Sequence, residues 1–488
     1  MINVGSHVSS FRYSEVYKIV YPRRHEGIYK NRGDNPWVSI RIRQGVGRDP
    51  SKWFSNQLRV IAEVSRRYGD GRAMLGTRGD IEIFKVDFRL FDEVVARLRE
   101  VGLDPRDSCG NSVRNPIPCT SQFCPYAHIN AEALSTFIGD YFRYRSEYEY
   151  PSLPHRIKIS ISACERACAA PVAQDIGIVA KPNGKFDVYL GGGIGEHAFS
   201  AKLAFTDVDA EDLLPICIGV AEVFRRSGER RGFKWVVKLR GLDRVKEEVM
   251  AIAREVKPKL PKPPDLSPKL IKSRIAVIKY PTGWVSADEL VQLADVADKY
   301  GFGYVLLFNN QSVYIPIREN VDRIAELGNY EIRDPGPIYP EGPITVACLG
   351  NELCPPGLID TTGLGRKIHV HLSKLNEPIR VSVSGCTHNC AMTWVSDIGL
   401  EPFGSKTRIL ITVGGSPTAL GLVIGTVDPG DAELAVQVLL DMYRKSGIHG
   451  VRDFVTKVGV DTVRNELAKY VLSFKPPDKD ISIVFGPD

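Results

Sequence analysis

The chain is 488 residues long, 43% hydrophobic and 25% charged, with a formal net charge of +6 at pH 7. That length supports several cored domains, while a charge this small and this dispersed is not that of a dedicated nucleic-acid binder. No run of about eighteen apolar residues is available to span a membrane, and the opening MINVGSHVSSFRYSEVYK has no apolar signal core, so a cytoplasmic protein is expected.

Residues 1–104 read as a polar arm followed by a β-α-β-α module. VSIRIR (38–43) alternates as a strand does, SKWFSNQLRVIAEVSRRYG (51–69) has apolar residues at helical spacing, IEIFKVDF (81–88) is a second strand and FDEVVARLREVGL (91–103) a second helix. Residues 105–256 form a mixed α+β unit with a cysteine set, a strand run and a helix over DAEDLLPICIGVAEVFRR (209–226). Its basic segment RRSGERRGFKWVVKLRG (225–241) reads either as a solvated turn before a strand or as an anion-binding stretch. KPKLPKPPDLSPK, inside 257–272, has the proline and lysine content of a semi-extended linker. Residues 273–335 repeat the module with IAVIKY, ADELVQLADVADKYG, YVLLF, SVYIPI and, in the place of the last helix, VDRIAELG (321–328). A second mixed unit at 336–474, with a helix over DAELAVQVLLDMYRKSG (431–447), and a tail at 475–488 follow.

The chemistry concentrates in VSVSGCTHNCAMTWVSDIGL (381–400), where alternating β-branched residues run into Cys386 and Cys390. A C-x3-C pair alone would serve a zinc site or a disulfide as well. Upstream, however, a C-x5-C pair, Cys348 and Cys354, follows another apolar run, and four thiolates are what a cubane iron–sulfur cluster takes. Ten cysteines in a reducing compartment also point to metal or redox chemistry before disulfides.

These stretches occur twice. CERACAAPVAQDIG (164–177) and CTHNCAMTWVSDIG (386–399) share C-x3-C and Asp-Ile-Gly at one distance, 222 residues apart (386 − 164). Cys119 and Cys124 echo Cys348 and Cys354, and YGDGRAMLGTRGDIEIF (68–84) echoes YGFGYVLLFNNQSVYIP (300–316). Markers in one order at a nearly constant offset indicate a duplicated chain.

The Arg-x-Arg strand IRIRQG (40–45), VRNP (113–116), LPHRIK (153–158), the GGG turn (191–193) and the two cysteine spacings together resemble the siroheme-dependent sulfite and nitrite reductases, over roughly residues 30–470. The resemblance implies an internally duplicated α+β fold, with two ferredoxin-like half-domains and two siroheme/iron–sulfur domains. It implies siroheme and a [4Fe–4S] cluster held by Cys348, Cys354, Cys386 and Cys390, with Cys390 bridging to the siroheme iron. Arg41, Arg114, Arg156 and Lys158 match the family's anion-binding residues. Arg78, in a Thr-Arg pair without the family's glutamine, would meet a macrocycle carboxylate, and Asn310 and Gln311 would meet the macrocycle. The family's Cys-Pro-Asn-x-Cys is here Cys386-Thr387-His388-Asn389-Cys390, which puts His388 and Asn389 at the cofactor, with His388 either replacing the asparagine contact or capping the cluster loop.

The first-half set, Cys119, Cys124, Cys164 and Cys168, resembles the one set per subunit of dissimilatory sulfite reductases, as if such a pair had been fused. Its C-x4-C pair is one residue short of the usual spacing, which leaves a second cluster, a disulfide or a relic as readings, while Cys109 and Cys217 read as core thiols. The expected reaction is the six-electron reduction of sulfite to sulfide, because Lys158 stands where nitrite reductases tend to carry asparagine. Nitrite reduction to ammonia and a cobalamin-pathway precorrin monooxygenase are the alternatives. The GGGIG stretch precedes a polar run and lacks an acidic partner, so electrons should come from a protein such as ferredoxin rather than from a bound dinucleotide. Across the repeat Arg41 falls on Val277, Arg114 near Gly342 or Pro343, Arg156 on Pro378 and Lys158 on Arg380, so one site only is expected to turn over.

Overall fold

The structure, a computed structural model, describes residues 11–339, 342–375, 377–404 and 408–477. The first ten residues of the arm, and the tail beyond residue 477, lie outside them.

The two module sheets explain why the halves cannot be separated. One is antiparallel in the order Ile28–Lys30, Trp37–Ile42, Ile81–Asp87, Arg72–Leu75, Trp284–Ser286. The other runs Glu331–Arg333, Ile275–Lys279, Ser312–Pro316, Tyr304–Leu307, Lys52–Phe54. Each sheet therefore takes its last strand from the other half. Those exchanged strands lead directly into the helices Ser55–Tyr68 and Ala287–Tyr300. Gln57 Oε1 accepts from the Phe54 amide at 2.9 Å and Ser286 Oγ from the Glu289 amide at 3.1 Å, fixing where each helix starts. Leu58, Ile61 and Val64 of one helix and Leu290, Leu293 and Val296 of the other are buried in one shared core.

Three features differ from the sequence reading. The first residues of 51–69 are the exchanged strand rather than helix, because Trp53 alternates inward between two exposed-side neighbours. Arg72–Leu75 is an additional strand. VDRIAELG forms no helix; only Ile324 in it is buried, and one apolar residue cannot seat a helix face.

The mixed units repeat one sheet twice. Ile117–Pro118, Ile159–Ser162, Ile176–Ala180, Phe186–Leu190 and Lys202–Val208 lie in that order, as do Ile344–Ala347, Arg380–Val383, Ile398–Phe403, Arg408–Val413 and Leu422–Val427. In both, the first two pairings are parallel and the last two antiparallel. The basic segment does not lead into a strand: Phe233–Arg240 is a helix whose Phe233, Val236 and Val237 face the core. Past Lys259 the linker runs without helix or strand, yet Leu260, Leu266 and Ile271 pack on the first-half core and the Leu266 carbonyl accepts from Asn130 at 2.8 Å. Among the described residues no helix is long and apolar enough to cross a membrane.

Because Trp53 is fully buried on an exchanged strand, Trp53→Ala is expected to lower stability by about 3–5 kcal/mol. Chemical denaturation checks this. Loss of the first-half module with the second-half module still folded would contradict the shared core.

Candidate active site

Both cysteine loops of the second half spring from the C-terminal ends of adjacent parallel strands, Ile344–Ala347 and Arg380–Val383, paired Ala347 to Val383. Cys348 leaves the first strand, and a helical turn, Gly350–Leu353, carries the chain to Cys354. Gly350 has φ +59°, and a Cβ there would lie 2.6 Å from Thr361 Oγ1; a Cβ on Gly385 would lie 2.8 Å from Gly350 Cα. Glycine at both positions lets the two loops touch. The Gly385 amide donates to Cys348 Sγ at 3.0 Å, and backbone N–H groups of Gly350 and His388 point at Cys348 and Cys386. Amides directed at sulfur are how a protein tunes iron–sulfur thiolates.

All ten cysteines are free. Burial, then the neighbouring thiols, pushes Cys348 up to about 11 and Cys386 to about 12, and holds Cys354 well above its ordinary value. Four thiolates here repel one another, so a cationic core is needed to hold them ionised. Among the described residues no group of three or more His, Cys, Asp or Glu side chains closes on one metal ion. Cys390 alone of the ten is exposed. Its carbonyl accepts from Thr77 Oγ1 at 2.7 Å, and the side chain borders a cavity of about 610 Å³.

That cavity collects most of the residues singled out in the sequence. Arg41, Arg78, Arg114, Arg156, Lys158, Gln311, His388 and Asn389 line it together with Cys348, Cys354, Cys386 and Cys390. Six arginines and two lysines face it against two carboxylates, Asp80 and Glu82. Both carboxylates are tied to Arg41, whose Nε donates to Glu82 at 2.6 Å and stands 3.4 Å from Asp80. Arg41 is thus charge-matched, while Arg43, two residues on, is buried near Asp104, Asp107 and Asp140. Arg114 is anchored by its backbone amide to Ile157 (2.9 Å) and by its guanidinium to the Gly110 and Ser108 carbonyls; burial pulls it down to about 9, still protonated at neutrality. Arg78 bonds the Asn115 carbonyl, but its Nε is buried and unpartnered. Arg156 makes no hydrogen bond or ion pair among the described residues. Lys158 is fixed by its amide to Asp175 Oδ2 at 2.8 Å, and its ammonium is pulled down to about 7 by burial and then by Arg156 and Arg78. Desolvation, then Arg156, Arg24 and Lys158, holds His388 neutral, with Nδ1 3.4 Å from Cys386 Sγ.

Asn310 is not brought to the cavity; its amide donates to Tyr314 Oη at 2.5 Å. Gln311 reaches the wall, but its amide clamps the two halves, donating to Leu75 O and Ala347 O at 2.8 Å and accepting from Ala347 N at 2.9 Å. Gln311→Ala is expected to cost about 1–3 kcal/mol through the buried backbone groups left unpaired, read as a lower thermal midpoint. Asn389 braces its own loop, accepting from Thr393 N at 2.8 Å and donating to Thr393 Oγ1 and Glu401. Cys217 and Cys109 are both core thiols, as read from sequence, and Cys109 also borders the cavity. Arg24 and Arg230 also face the cavity and were not singled out; Arg230 belongs to the basic segment, but Arg24 sits in a charged run (RRHE) with nothing to set it apart.

A cavity walled by six arginines, two of which, Arg24 and Arg78, keep a buried Nε without a partner, and opening on the exposed Cys390 beside Cys348, Cys354 and Cys386, fits a polycarboxylate macrocycle seated against a thiolate-held cluster. The family model described as the nitrite and sulphite reductase 4Fe-4S domain matches residues 109–257 and 344–473, together more than half of the chain. The chain belongs to the nitrite and sulphite reductase family. The nitrite/sulfite reductase ferredoxin-like half domain matches 30–101 and 274–327, so the duplicated α+β reading and the siroheme and [4Fe–4S] cofactors stand with that membership. Among similar proteins are the chloroplastic ferredoxin–nitrite reductase of Betula pendula, 28% identical over 381 residues (71% of this chain, 65% of the relative), and the ferredoxin–nitrite reductase of Leptolyngbya laminosa, 27% identical over 393 residues (72% and 74%). The chain thus spans about 65% of the length of the plant relative. The structure of the Mycobacterium tuberculosis NirA protein shares the fold, with a TM-score of 0.75 at 18% identity, covering 95% of this chain and 94% of that one.

Proposed function

We propose that the chain is a siroheme- and [4Fe–4S]-dependent reductase that takes electrons from a ferredoxin and reduces a small oxyanion, with nitrite first and sulfite as the second reading. The observation that carries it is the single cavity in which the exposed Cys390 meets the arginine wall. When bound, the coupled macrocycle and cluster supply electrons and an open metal position. In this reading Cys348, Cys354, Cys386 and Cys390 hold the cluster, Arg78 and Arg24 direct their unpartnered Nε donors at carboxylates, and Arg156 with Lys158 holds the anion. Each departing oxygen leaves as water and needs protons, and an ammonium near neutrality at Lys158 is suited to deliver them. Similarity to ferredoxin–nitrite reductases favours nitrite; the Lys158 side chain in the cavity wall favours sulfite.

The test is anaerobic turnover with reduced ferredoxin, comparing kcat/KM for the two anions and measuring ammonium and sulfide. Product from neither anion by siroheme-loaded protein would remove the reductase reading; a clear preference for sulfite would reverse the order of substrates.

A further inference from the structure

The first-half cysteines are left unused by that function, yet their surroundings repeat several features of the second-half site. Cys119 leaves the Ile117–Pro118 strand and Cys164 follows the parallel Ile159–Ser162 strand, as Cys348 and Cys386 follow theirs. The Ala163 amide donates to Cys119 Sγ at 3.1 Å, the counterpart of Gly385 to Cys348 at 3.0 Å. Ser162 Oγ accepts from Ala169 N at 3.2 Å, and Ser384 Oγ from Ala391 N at 3.0 Å. Both C-x3-C loops turn through a left-handed residue, Ala167 (φ 55°) and Asn389 (φ 53°). Asn309 Nδ2 holds the Cys168 carbonyl at 3.1 Å where Thr77 holds that of Cys390. Backbone N–H groups of Tyr126, Arg166 and Tyr339 point at Cys124, Cys164 and Cys168. The four thiols are buried and free.

What differs is the region beside the cysteines. Glu82 pairs with Arg41 across one sheet, and Tyr314 pairs with Val277 at the same place in the other. Phe123, Phe308 and Tyr314 pack there ring against ring, with centroids 5.5–5.8 Å apart. Arg380, in the place of Lys158, gives its guanidinium to the Asn309 carbonyl at 2.9 Å. Cys168 is buried where Cys390 is exposed.

We infer that Cys119, Cys124, Cys164 and Cys168 hold a second [4Fe–4S] cluster, one without a macrocycle beside it. The missing residue in the C-x4-C loop is compatible, because the amide-to-sulfur bond at Cys119 is kept. The test is iron, zinc, sulfide and siroheme analysis, with native mass spectrometry, on the full chain after anaerobic reconstitution with ferrous iron and sulfide. Two clusters and one siroheme give roughly nine irons per macrocycle, against roughly five for one cluster. Cys164→Ser/Cys168→Ser should fall from the first value to the second with its siroheme absorption unchanged. About five irons per siroheme in the reconstituted wild-type protein, or zinc at the first-half thiols, would overturn the inference. The wild-type measurement stands even if the variant does not fold, and because it reads composition, failure here leaves the reductase proposal untouched.

Discussion

Cys390→Ser is expected to abolish turnover and the coupled absorption of macrocycle and cluster while leaving a folded protein. Three of the second-half thiols are set back in the protein, and Cys390 is the exposed one, with its loop pinned from the first half by Thr77. Serine keeps the loop geometry but not the chemistry: an alcohol stays protonated at neutral pH where a thiol can ionise, so it is a poor ligand for iron. The loop itself has other supports, since Ser384, Asn389 and Thr393 brace it without the sulfur, and a cluster resting on Cys348, Cys354 and Cys386 can persist. Far-UV circular dichroism therefore checks the fold, iron analysis the cluster, and visible spectra with turnover the coupling. A variant that kept both the coupled spectrum and the rate would place the bridge elsewhere. Cys217→Ser, in the first-half core and away from the cavity, is the matching control.

The cysteine spacings and the repeat were legible in the sequence because they are local: a strand, a glycine and two thiols at a fixed distance. Arg41, Arg114, Arg156 and Lys158 were legible as a set and do share one cavity. Their individual states were not. Whether Arg41 is spent on Glu82 and Asp80 depends on a cross-strand register between residues 41 apart. The strand exchange was hidden for a related reason: Lys52–Phe54 and Trp284–Ser286 are too short to show a period, and their pairing with the opposite half is set by the packing of the helices that follow. Asn310 and Gln311 are adjacent, yet the left-handed turn at Gln311 (φ 58°) sends one amide to Tyr314 and the other to the cavity wall.

Arg156→Ala is expected to lower kcat/KM for the reduced anion by roughly 10- to 150-fold, the equivalent of about 1.5–3 kcal/mol for one charge-assisted contact. Arg156 is the residue to change because its charge is not already engaged. Removing Arg41 would strand Glu82 and Asp80 as buried unpaired carboxylates, a penalty of about 3–5 kcal/mol in stability that would hide any effect on binding. Removing Arg114 would free the Gly110 and Ser108 carbonyls it holds. Arg156 makes no such bond, so its loss should leave the unfolding midpoint within about 1 kcal/mol of wild type. Arg156→Lys keeps the charge and gives up the forked geometry, and should recover only part of the rate. The discriminating measurement is kcat/KM alongside siroheme content. If Arg156→Ala retained wild-type kcat/KM with full siroheme, Arg156 would leave the anion site; if siroheme were lost in proportion to activity, its guanidinium would belong to the macrocycle's carboxylates instead.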